Sequence, residues 1–315
     1  MKVLVTGSSG YLGSQVVAAL AARSDIACVA LDVRAPVQTL ESVAYEIADI
    51  RAPEVDAMVA RHAPQAVVHL ASIVTPGKKS KREFEYSVDV EGTRNLLEAC
   101  VRHGVKRVIV SSSGAAYGYH ADNPEWLSES DPVRGNQSFA YSWHKRLVEE
   151  MLADYRTQHP QLEQIIFRIG TILGATVHNQ ITDLFEKPRL IAIRGSASPF
   201  VFIHDRDVVG AIVQGITSPV TGIFNVAGDG KLDIDEIATR LGKRCVVFPA
   251  GLLQAALWLL KKLGLTQYGP EQIDFLRYRP VLANRRLKEE FGYVPKLSSA
   301  EVFELWRTSR QSKAA

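Results

Sequence analysis

The first half of the chain alternates short runs of Val, Ile and Leu with longer helical patterns, and this alternation limits the possible folds most. The β-type runs are KVLVT, IACVALD, VAYEIAD, AVVHLAS, RVIVSS and QIIFRIG, beginning at residues 2, 26, 43, 66, 107 and 164. Strands that are nearly continuous apolar runs, separated by helices, are typical of a parallel sheet covered on both faces. The sequence therefore predicts an α/β fold with a doubly wound parallel sheet.

The pattern loosens beyond about residue 171. Helical patterns are mixed there with short strands, at about 205–217, 233–241, 251–264 and 284–290 for the helices and 190–194 and 223–227 for the strands. We expect a main domain over residues 1–170 and a smaller C-terminal α/β lobe over 171–315. No Gly/Ser-rich linker separates them, so we expect the lobe to be interleaved with the last strands of the sheet.

Composition excludes several classes of protein. A net charge of +3 over 315 residues gives no argument for nucleic-acid binding. The three cysteines lie far apart without metal-type spacing, so we expect reduced thiols, no metal site and a cytoplasmic protein. The start, Met-Lys followed by an apolar strand, does not have the pattern of an export signal.

One strongly apolar stretch, PAGLLQAALWLLKKLGL (249–265), is interrupted by Gln254 and followed closely by Lys261 and Lys262. A bilayer-spanning helix needs about 20 apolar residues. We therefore expect a packed helix or a lid over a pocket rather than a membrane anchor, and no membrane partner.

A glycine triplet joins the first predicted strand to the first predicted helix. In VTGSSGYLGSQ (5–15), Gly7, Gly10 and Gly13 allow a tight turn and bring the backbone close to a ligand. The helix N-terminus supplies unpaired N–H groups for a pyrophosphate. A strand before and a helix after the loop are the context that dinucleotide binding requires, so the sequence predicts a Rossmann fold.

Asp32 ends the second predicted strand, 19 residues after Gly13. A carboxylate there can accept hydrogen bonds from both ribose hydroxyls of adenosine and would repel a 2′-phosphate. This position favours NAD over NADP. Arg34, two residues further on, could instead meet a phosphate, which leaves NADP as the alternative.

A phenol and an ammonium share one face of a helix predicted near the middle of the chain. In SFAYSWHKRLVEE (138–150), Tyr141 and Lys145 are four residues apart, one turn above each other. A serine run, ending in Ser113, follows the strand that begins at residue 107, and ligands bind at the carboxyl ends of parallel strands. We expect Ser113, Tyr141 and Lys145 to form a reaction centre, and His144, off that face, to be exposed.

These motifs together resemble the extended short-chain dehydrogenase/reductase superfamily, and more closely its NAD-dependent epimerase/dehydratase family. The motifs are T-G-x-x-G-x-x-G (Thr6–Gly13), H-L-A (His69–Ala71), S-S-S-x-x-x-Y-G (Ser111–Gly118), Y-x-x-x-K (Tyr141–Lys145), F-R-I-G (Phe167–Gly170), F-I-H-D-R-D-V (Phe202–Val208) and F-N-V-A (Phe224–Ala227). Each motif alone is common, whereas the combination is specific and covers nearly the whole chain.

The resemblance implies an NAD-dependent enzyme and gives each member of the reaction centre a role. Tyr141 would exchange a proton with a substrate hydroxyl while hydride moves to or from the nicotinamide. Because a free tyrosine has a pKa of about 10, a nearby cation is needed to stabilise the phenolate. Lys145 would be that cation and would also bind the nicotinamide ribose. Ser113 would hydrogen-bond the substrate oxygen.

The resemblance also implies the remaining cofactor contacts. The residues around the cofactor would be Gly7, Ser9, Gly10, Tyr11, Leu12, Gly13, Asp32, Asp49, Ile50, Leu70, Ala71, Ser111, Tyr141, Lys145, Arg168, Gly170 and Thr171. Asp49 and Ile50 would flank the adenine, Leu70 and Ala71 would line the trough, and Arg168–Thr171 would lie near the nicotinamide. His69 would serve packing and hydrogen bonding rather than metal binding.

The sequence departs from the family pattern at the substrate site. Phe200 stands where sugar-nucleotide epimerases usually carry a phosphate-binding arginine, and Asp89 stands where an asparagine is common. Asn179 matches an asparagine that often touches the diphosphate, and Arg279 stands for a C-terminal arginine with the same role. We therefore expect Ser113, Asn179, Phe200 and Arg279 to lie at the substrate. The basic run 78–82 is either a solvated loop or a clamp for an anionic substrate.

The family likeness further implies a homodimer in which the helices at 83–103 and 139–157 form an intersubunit four-helix bundle. Its apolar contacts would come from Leu96, Leu97, Leu147, Val148, Met151 and Leu152.

Three functions remain open at this stage. The first is an NAD-dependent epimerase, dehydratase or related oxidoreductase of a sugar nucleotide. The second is a dehydrogenase or reductase of a non-nucleotide alcohol or ketone. The third is a nucleotide-sensing regulator without chemistry, which the intact Tyr141–Lys145 pair disfavours.

Overall fold

Seven parallel strands form the central sheet of the protein. The computed structural model describes residues 1–74, 80–266 and 269–314. The described residues form these seven strands and four others outside the main sheet. In chain order they are β1 (Lys2–Thr6), β2 (Ala27–Asp32), β3 (Val43–Ile47), β4 (Ala66–His69), β5 (Arg107–Ser113), β6 (Glu163–Ile169), β7 (Thr171–Leu173), β8 (Arg189–Ile193), β9 (Phe202–His204), β10 (Gly222–Val226) and β11 (Arg244–Phe248). The order in the main sheet is β3-β2-β1-β4-β5-β6-β10. The doubly wound parallel sheet predicted from the apolar runs is therefore confirmed.

Helices cover both faces of this sheet. They are α1 (Tyr11–Ala21), α2 (Glu54–His62), α3 (Arg82–Tyr86), α4 (Gly92–Arg102), α5 (Ala140–Gln158), α6 (Gln180–Glu186), α7 (Asp205–Thr217), α8 (Ile234–Leu241), α9 (Ala250–Lys262), α10 (Gln272–Arg277), α11 (Arg285–Glu289) and α12 (Ser299–Ala314). One face packs through α1 and α7, and the other through α2, α4 and α5.

The chain beyond residue 171 contributes to two bodies of structure. It returns to the main sheet, where β10 pairs with β6 and α7 packs against α1. It also forms a smaller lobe around two parallel pairs, β7–β9 and β8–β11. The core of this lobe is aromatic, with Phe185, Phe202 and Phe303 in mutual ring contact.

The segment predicted as one helix at 83–103 contains a wider turn. A π-helical stretch over Ser87–Glu91 separates α3 from α4. Asp89 lies within it and is buried, accepting a hydrogen bond from the backbone N–H of Ile73 at 2.9 Å. The wide turn therefore faces the loop after β4.

The predicted dimer contacts are wrong in one respect. Five of the six apolar side chains assigned to the interface are buried inside the single chain, namely Leu96, Leu97, Val148, Met151 and Leu152. They belong to the core that α4 and α5 form against the sheet. Leu147 alone among the six is partly exposed.

The expectation for residues 249–265 is confirmed only in part, because the helix forms and packs against α10 but stays largely exposed. The stretch does form a helix, α9, but no residue of that helix is buried. Leu252, Trp258 and Leu259 are each at least half exposed, at 58%, 55% and 50%. Within the described parts of the chain, we find no helix with the length and apolarity needed to cross a membrane.

Candidate active site

The glycine loop between β1 and α1 forms the first part of the site. Gly7 has a φ of +69°, and a Cβ there would lie 2.6 Å from the backbone nitrogen of Ala71. A Cβ on Gly13 would overlap the carbonyl oxygen of Gly7. The first turn of α1 contains no acidic residue, and no side chain of the described residues caps it. The N–H groups at the start of α1 are available to an anion, and the loop glycines have no Cβ atoms that would block its approach. This arrangement fits a pyrophosphate.

Asp32 lies at the edge of this loop, at the carboxyl end of β2. Its carboxylate is buried and accepts hydrogen bonds from the backbone N–H groups of Ser9 at 2.9 Å and Arg34 at 3.0 Å. The Arg34 guanidinium is 3.7 Å from the carboxylate and its side chain is 69% exposed. The negative charge therefore faces the loop, and the arginine is free to swing into solvent.

Tyr11 and Leu12 begin α1, and both side chains contact other parts of the protein. The Tyr11 hydroxyl donates to the Asp205 carboxylate, which ties α1 to the start of α7. Burial and this carboxylate raise the pKa of Tyr11 to about 12. Leu12 packs against the core. Tyr11 is 38% exposed, so its side chain as well as its backbone is accessible.

Asp49 and Ile50, expected beside an adenine, have different surroundings. Asp49 is partly exposed and pairs with Arg51 at 2.6 Å. Hydrogen bonds from Arg51 lower the pKa of the Asp49 carboxyl. Ile50 is buried beneath Gly92, where a Cβ would lie 2.6 Å from the Ile50 side chain. Asp49 is therefore the more accessible of the two.

The end of β4 contacts the glycine loop on one side and lies next to β5 on the other. Leu70 donates its N–H to the Thr6 carbonyl, and the N–H of Ala71 points at the Thr6 hydroxyl, at 3.2 and 3.4 Å. His69 has both ring nitrogens in hydrogen bonds, to Thr6 and Thr93, at 2.7 and 2.9 Å. Burial, with a further effect of Lys145, lowers the pKa of His69 to about 3. His69 is therefore a neutral structural residue, as predicted.

Tyr141 and Lys145 lie on one face of α5. The Lys145 ammonium is 5.5 Å from the centre of the Tyr141 ring and donates to the Ser111 carbonyl at 2.9 Å. Lys145 is buried, whereas Tyr141 is partly exposed. The lysine is thus fixed to the end of β5 while the phenol remains open to a substrate.

Ser113 is brought to the same place by a short 3-10 turn. Its hydroxyl accepts the Ala115 N–H at 3.1 Å and so begins the turn Gly114–Tyr117. The Ser142 hydroxyl donates to the Ala115 carbonyl at 2.6 Å, which holds this turn against the first turn of α5. The strand end that carries Ser113 is therefore packed beside the Tyr141–Lys145 face. The Ser111 hydroxyl points elsewhere, to the His69 carbonyl at 3.3 Å.

Arg168 is not available to a cofactor through its side chain, which corrects that assignment. Its guanidinium is buried and bonded to Glu149 of α5 at 2.6 to 3.0 Å. It also donates to the Tyr117 hydroxyl at 2.8 Å. Burial alone would lower the pKa of Arg168, but the Glu149 carboxylate and Tyr117 raise it overall. Gly170 and Thr171 follow with backbone bonds to Val226 and Val201.

His144 is buried, not exposed as expected. Its Nδ1 is 3.0 Å from the Asp89 carboxylate, and the two side chains are 1% and 3% exposed. Its Nε2 has no hydrogen-bond partner among the residues that the structure describes. Asp89 thus joins α5 to the loop after β4, with Ile73 on one oxygen and His144 on the other.

Two of the predicted substrate residues, Asn179 and Phe200, have structural roles. The side-chain Oδ1 of Asn179 caps α6 by accepting from the N–H groups of Ile181 and Thr182, and its Nδ2 donates to the Ile172 carbonyl. One amide N–H remains for a substrate. Phe200 is buried among Phe185 and Phe202, so its ring supports the site instead of reaching a polar ligand.

Arg279 lies directly over this ring. Its guanidinium carbon is 4.2 Å from the centre of Phe200 and 4.0 Å from that of Phe275. Its Nε and Nη2 are buried without hydrogen-bond partners in the described part of the chain. Burial lowers the pKa of Arg279 to about 10. A desolvated, unpaired guanidinium is costly unless a ligand satisfies it.

Three aromatic residues that the sequence analysis missed connect Arg279 to the start of α5. Phe275 stacks on Phe139 at 5.3 Å, and Tyr119 contacts both rings edge-on at 5.1 and 5.5 Å. Burial raises the pKa of Tyr119. The charge of Arg279 lowers this pKa, and that of Tyr141 raises it. Phe139 directly precedes the helix of Tyr141, but Tyr119 and Phe275 had no recognisable local signal.

The basic run 78–82 lies partly outside the described residues. Arg82, at its end, donates to the Gln137 carbonyl at 2.5 Å, in the loop before α5.

The parallel sheet and the side chains along its carboxyl edge define an oxidoreductase of the short-chain dehydrogenase/reductase class. The chain belongs to the NAD-dependent epimerase/dehydratase family, whose model matches residues 3–227. It is therefore an enzyme that uses NAD, and the glycine loop described above fits that cofactor.

The chain is similar to several proteins over different lengths. An uncharacterised protein of Mycobacterium tuberculosis is 25% identical over 308 residues, which cover 96% of this chain and 82% of that protein. The UDP-glucose 4-epimerase of Erwinia amylovora is 30% identical over 192 residues, 58% of this chain and 56% of that enzyme. A UDP-glucose 4-epimerase of Thermus thermophilus, solved with NAD, has the same fold, with a TM-score of 0.75, 24% identity and 99% coverage of both chains.

Proposed function

We propose that the protein oxidises a secondary alcohol of a sugar nucleotide with NAD, as an epimerase, dehydratase or dehydrogenase. The observation that carries this proposal is the guanidinium of Arg279, which lies between two phenyl rings and whose Nε and Nη2 are buried without hydrogen-bond partners among the described residues. A diphosphate would supply the acceptor oxygens that the guanidinium lacks. The packed rings of Phe275, Tyr119 and Phe139 lead from Arg279 to the start of α5 and support a substrate that extends from Arg279 to Tyr141.

Each residue of the reaction centre has a distinct task in this proposal. When bound, NAD would supply a nicotinamide ring that accepts hydride in its oxidised form and donates it in its reduced form. Tyr141 would take the proton from the substrate hydroxyl, and the Lys145 ammonium would stabilise the phenolate. Ser113 would hold the substrate oxygen. Lys145 is already fixed by the Ser111 carbonyl, so the charge beside the phenol needs no reorganisation.

Asp32 would make NAD bind more tightly than NADP. Replacing Asp32 with Ala removes the charge-assisted bonds to the ribose diol, so NAD affinity should fall by about tenfold or more. NADP should lose less, because the repulsion of its 2′-phosphate also disappears. Calorimetry on the wild type, on Asp32→Ala and on Asp25→Ala as an exposed control measures this. Stronger binding of NADP than NAD by the wild type would refute it.

The substrate class can be tested with a panel of UDP-, GDP- and dTDP-sugars beside simple secondary alcohols and ketones. We expect turnover of a sugar nucleotide, and Arg279→Met should raise its KM by about 10- to 100-fold through lost charge-assisted hydrogen bonds. The flexible Met chain can pack between the two rings, so the fold should survive. Arg285→Met, at a side chain that is 78% exposed, is the matched control and should leave KM unchanged.

The aromatic wall favours one second candidate. Tyr119, Phe139 and Phe275 form a mutually packed surface beside the reaction centre. Such a wall suits a less polar alcohol or ketone without a nucleotide. Turnover of such compounds but of no sugar nucleotide, with no effect of Arg279→Met, would favour this candidate over the first.

We also propose a homodimer through the face formed by α3, α4 and α5. A surface groove of about 350 Å³ lies between these helices, lined by Tyr86, Arg94, Leu147, Asp154 and Tyr155 among others. These side chains, and not the buried leucines, would make the contacts. Light scattering at micromolar concentration should give about twice the 34.7 kDa chain mass. A mass equal to one chain would rule the dimer out.

We further propose that the protein is cytoplasmic, which fractionation of cells followed by immunodetection would test.

A further inference from the structure

The outer face of α9 is apolar and has no partner among the described residues. We define it by Leu252, Ala256, Leu259 and Leu263, which recur at helical spacing and are all exposed. Leu252, Leu259 and Leu263 are 58%, 50% and 61% exposed. By contrast, α8 is amphipathic in the usual sense and buries Ile234, Ile237 and Ala238. Contiguous exposed apolar surface of this kind marks an interaction site.

The opposite face of α9 attaches the helix to the protein. Leu253 and Leu257 are only partly exposed, and Lys261 pairs with Glu271 next to α10 at 3.2 Å. The apolar outer face therefore points away from the described body of the protein.

The charges around this face identify its partner. Residues 249–270 contain no Asp or Glu, but they contain Lys261 and Lys262 in the last turn of the helix. The Lys262 ammonium is 5.1 Å from the centre of the Trp258 ring, at one margin of the face. Leucines with Trp and Lys at the border are typical of helices that lie in a membrane interface. A second copy would bring the same acid-free, lysine-bearing surface against itself.

We propose that α9 docks the protein on the surface of an anionic lipid bilayer. The helix has 13 residues and is about 20 Å long, so it lies in the plane of the interface and does not span the bilayer. The leucines enter the acyl boundary, and the lysines meet acidic headgroups. Phe275 of α10, against which α9 packs, belongs to the aromatic wall of the active site. Docking through α9 therefore sets the active site close to the lipid surface.

Vesicle flotation of the full chain tests this proposal. The wild type should float with vesicles of phosphatidylcholine containing phosphatidylglycerol, and less with phosphatidylcholine alone or at high salt. The double variant Leu259→Glu/Leu263→Glu should lose at least about tenfold in partitioning. Leu305→Glu, at a leucine of α12 that is 37% exposed, should float like the wild type. NAD binding by calorimetry confirms that each variant is folded.

Three results would overturn the proposal. The first is failure of the folded wild type to float with either kind of vesicle. The second is flotation that the double variant retains in full. The third is a concentration-dependent oligomer, abolished by the double variant, without any vesicle binding; the face would then pair two copies of the chain.

Discussion

Tyr141→Phe is expected to lower kcat by about 10²- to 10⁴-fold on the substrate that the panel identifies, the range of general acid–base contributions. The change removes only the hydroxyl, so the ring keeps its place below the Lys145 ammonium, 5.5 Å away in the wild type. NAD affinity should therefore remain within about twofold. Steady-state kinetics and calorimetry on the same samples separate the two effects.

Related variants sharpen this prediction. Tyr155→Phe removes a phenol hydroxyl further along α5, about 20 Å from Tyr141 along the helix and in the surface groove, so its kcat should match the wild type. Lys145→Met should lower both kcat and NAD affinity, because that residue has two proposed roles. Ser113→Ala should cost about tenfold in kcat through one lost substrate hydrogen bond. Near-normal activity of Tyr141→Phe would require the proton to leave by another residue.

Arg168→Met is expected to lower the free energy of unfolding by about 3–5 kcal/mol, because it leaves the Glu149 carboxylate buried without its cation. The two side chains are 5% and 3% exposed and 2.6 Å apart. For a chain of this length the loss corresponds to a fall of about 5–8 °C in melting temperature. Urea unfolding and thermal melts measure both quantities.

A double-mutant cycle identifies the cause of that loss. In Arg168→Met/Glu149→Leu no unpaired charge remains, so stability should recover most of the way towards the wild type. Arg285→Met breaks an exposed pair with Glu289, whose side chains are 78% and 65% exposed. It should cost less than about 1 kcal/mol. Equal losses for Arg168→Met and Arg285→Met would contradict the ion-pair explanation.

The main sheet was predictable because each strand carries its own signal. Strands buried on both faces are continuous apolar runs, as in β1, β4 and β6. The glycine loop was equally predictable, since the spacing of its three glycines and the strand and helix on either side are local features of the sequence. The predicted Asp32 position, at the end of β2, follows from the same local pattern.

Elements stabilised by distant contacts were not predictable. The C-terminal helix α12 is mostly polar, and its buried Phe303 and Trp306 contact Phe185, more than a hundred residues earlier. The π-helical stretch at Ser87–Glu91 likewise has no local signal.

The positions of the candidate site residues were predictable where these residues share one helix or one loop, and not where the fold brings remote groups together. Tyr141 and Lys145 share one helix face, so their spacing in the sequence was enough. His144 was wrongly expected in solvent because its partner, Asp89, lies 55 residues away on another helix. Arg168 was wrongly assigned to the cofactor because its counterion, Glu149, lies on α5. The sequence of β6, which carries Arg168, gives no sign of this partner.

The central claim is that the Tyr141–Lys145 face of α5 drives oxidation of the substrate hydroxyl by NAD. Rapid mixing of the NAD-loaded protein with its sugar nucleotide, followed by the near-ultraviolet absorbance that reduction of NAD produces, tests this in a single turnover. We predict a fast absorbance rise for the wild type and for Tyr155→Phe, and a rise slowed by about 10²- to 10⁴-fold for Tyr141→Phe. Equal rates for all three proteins would contradict the claim.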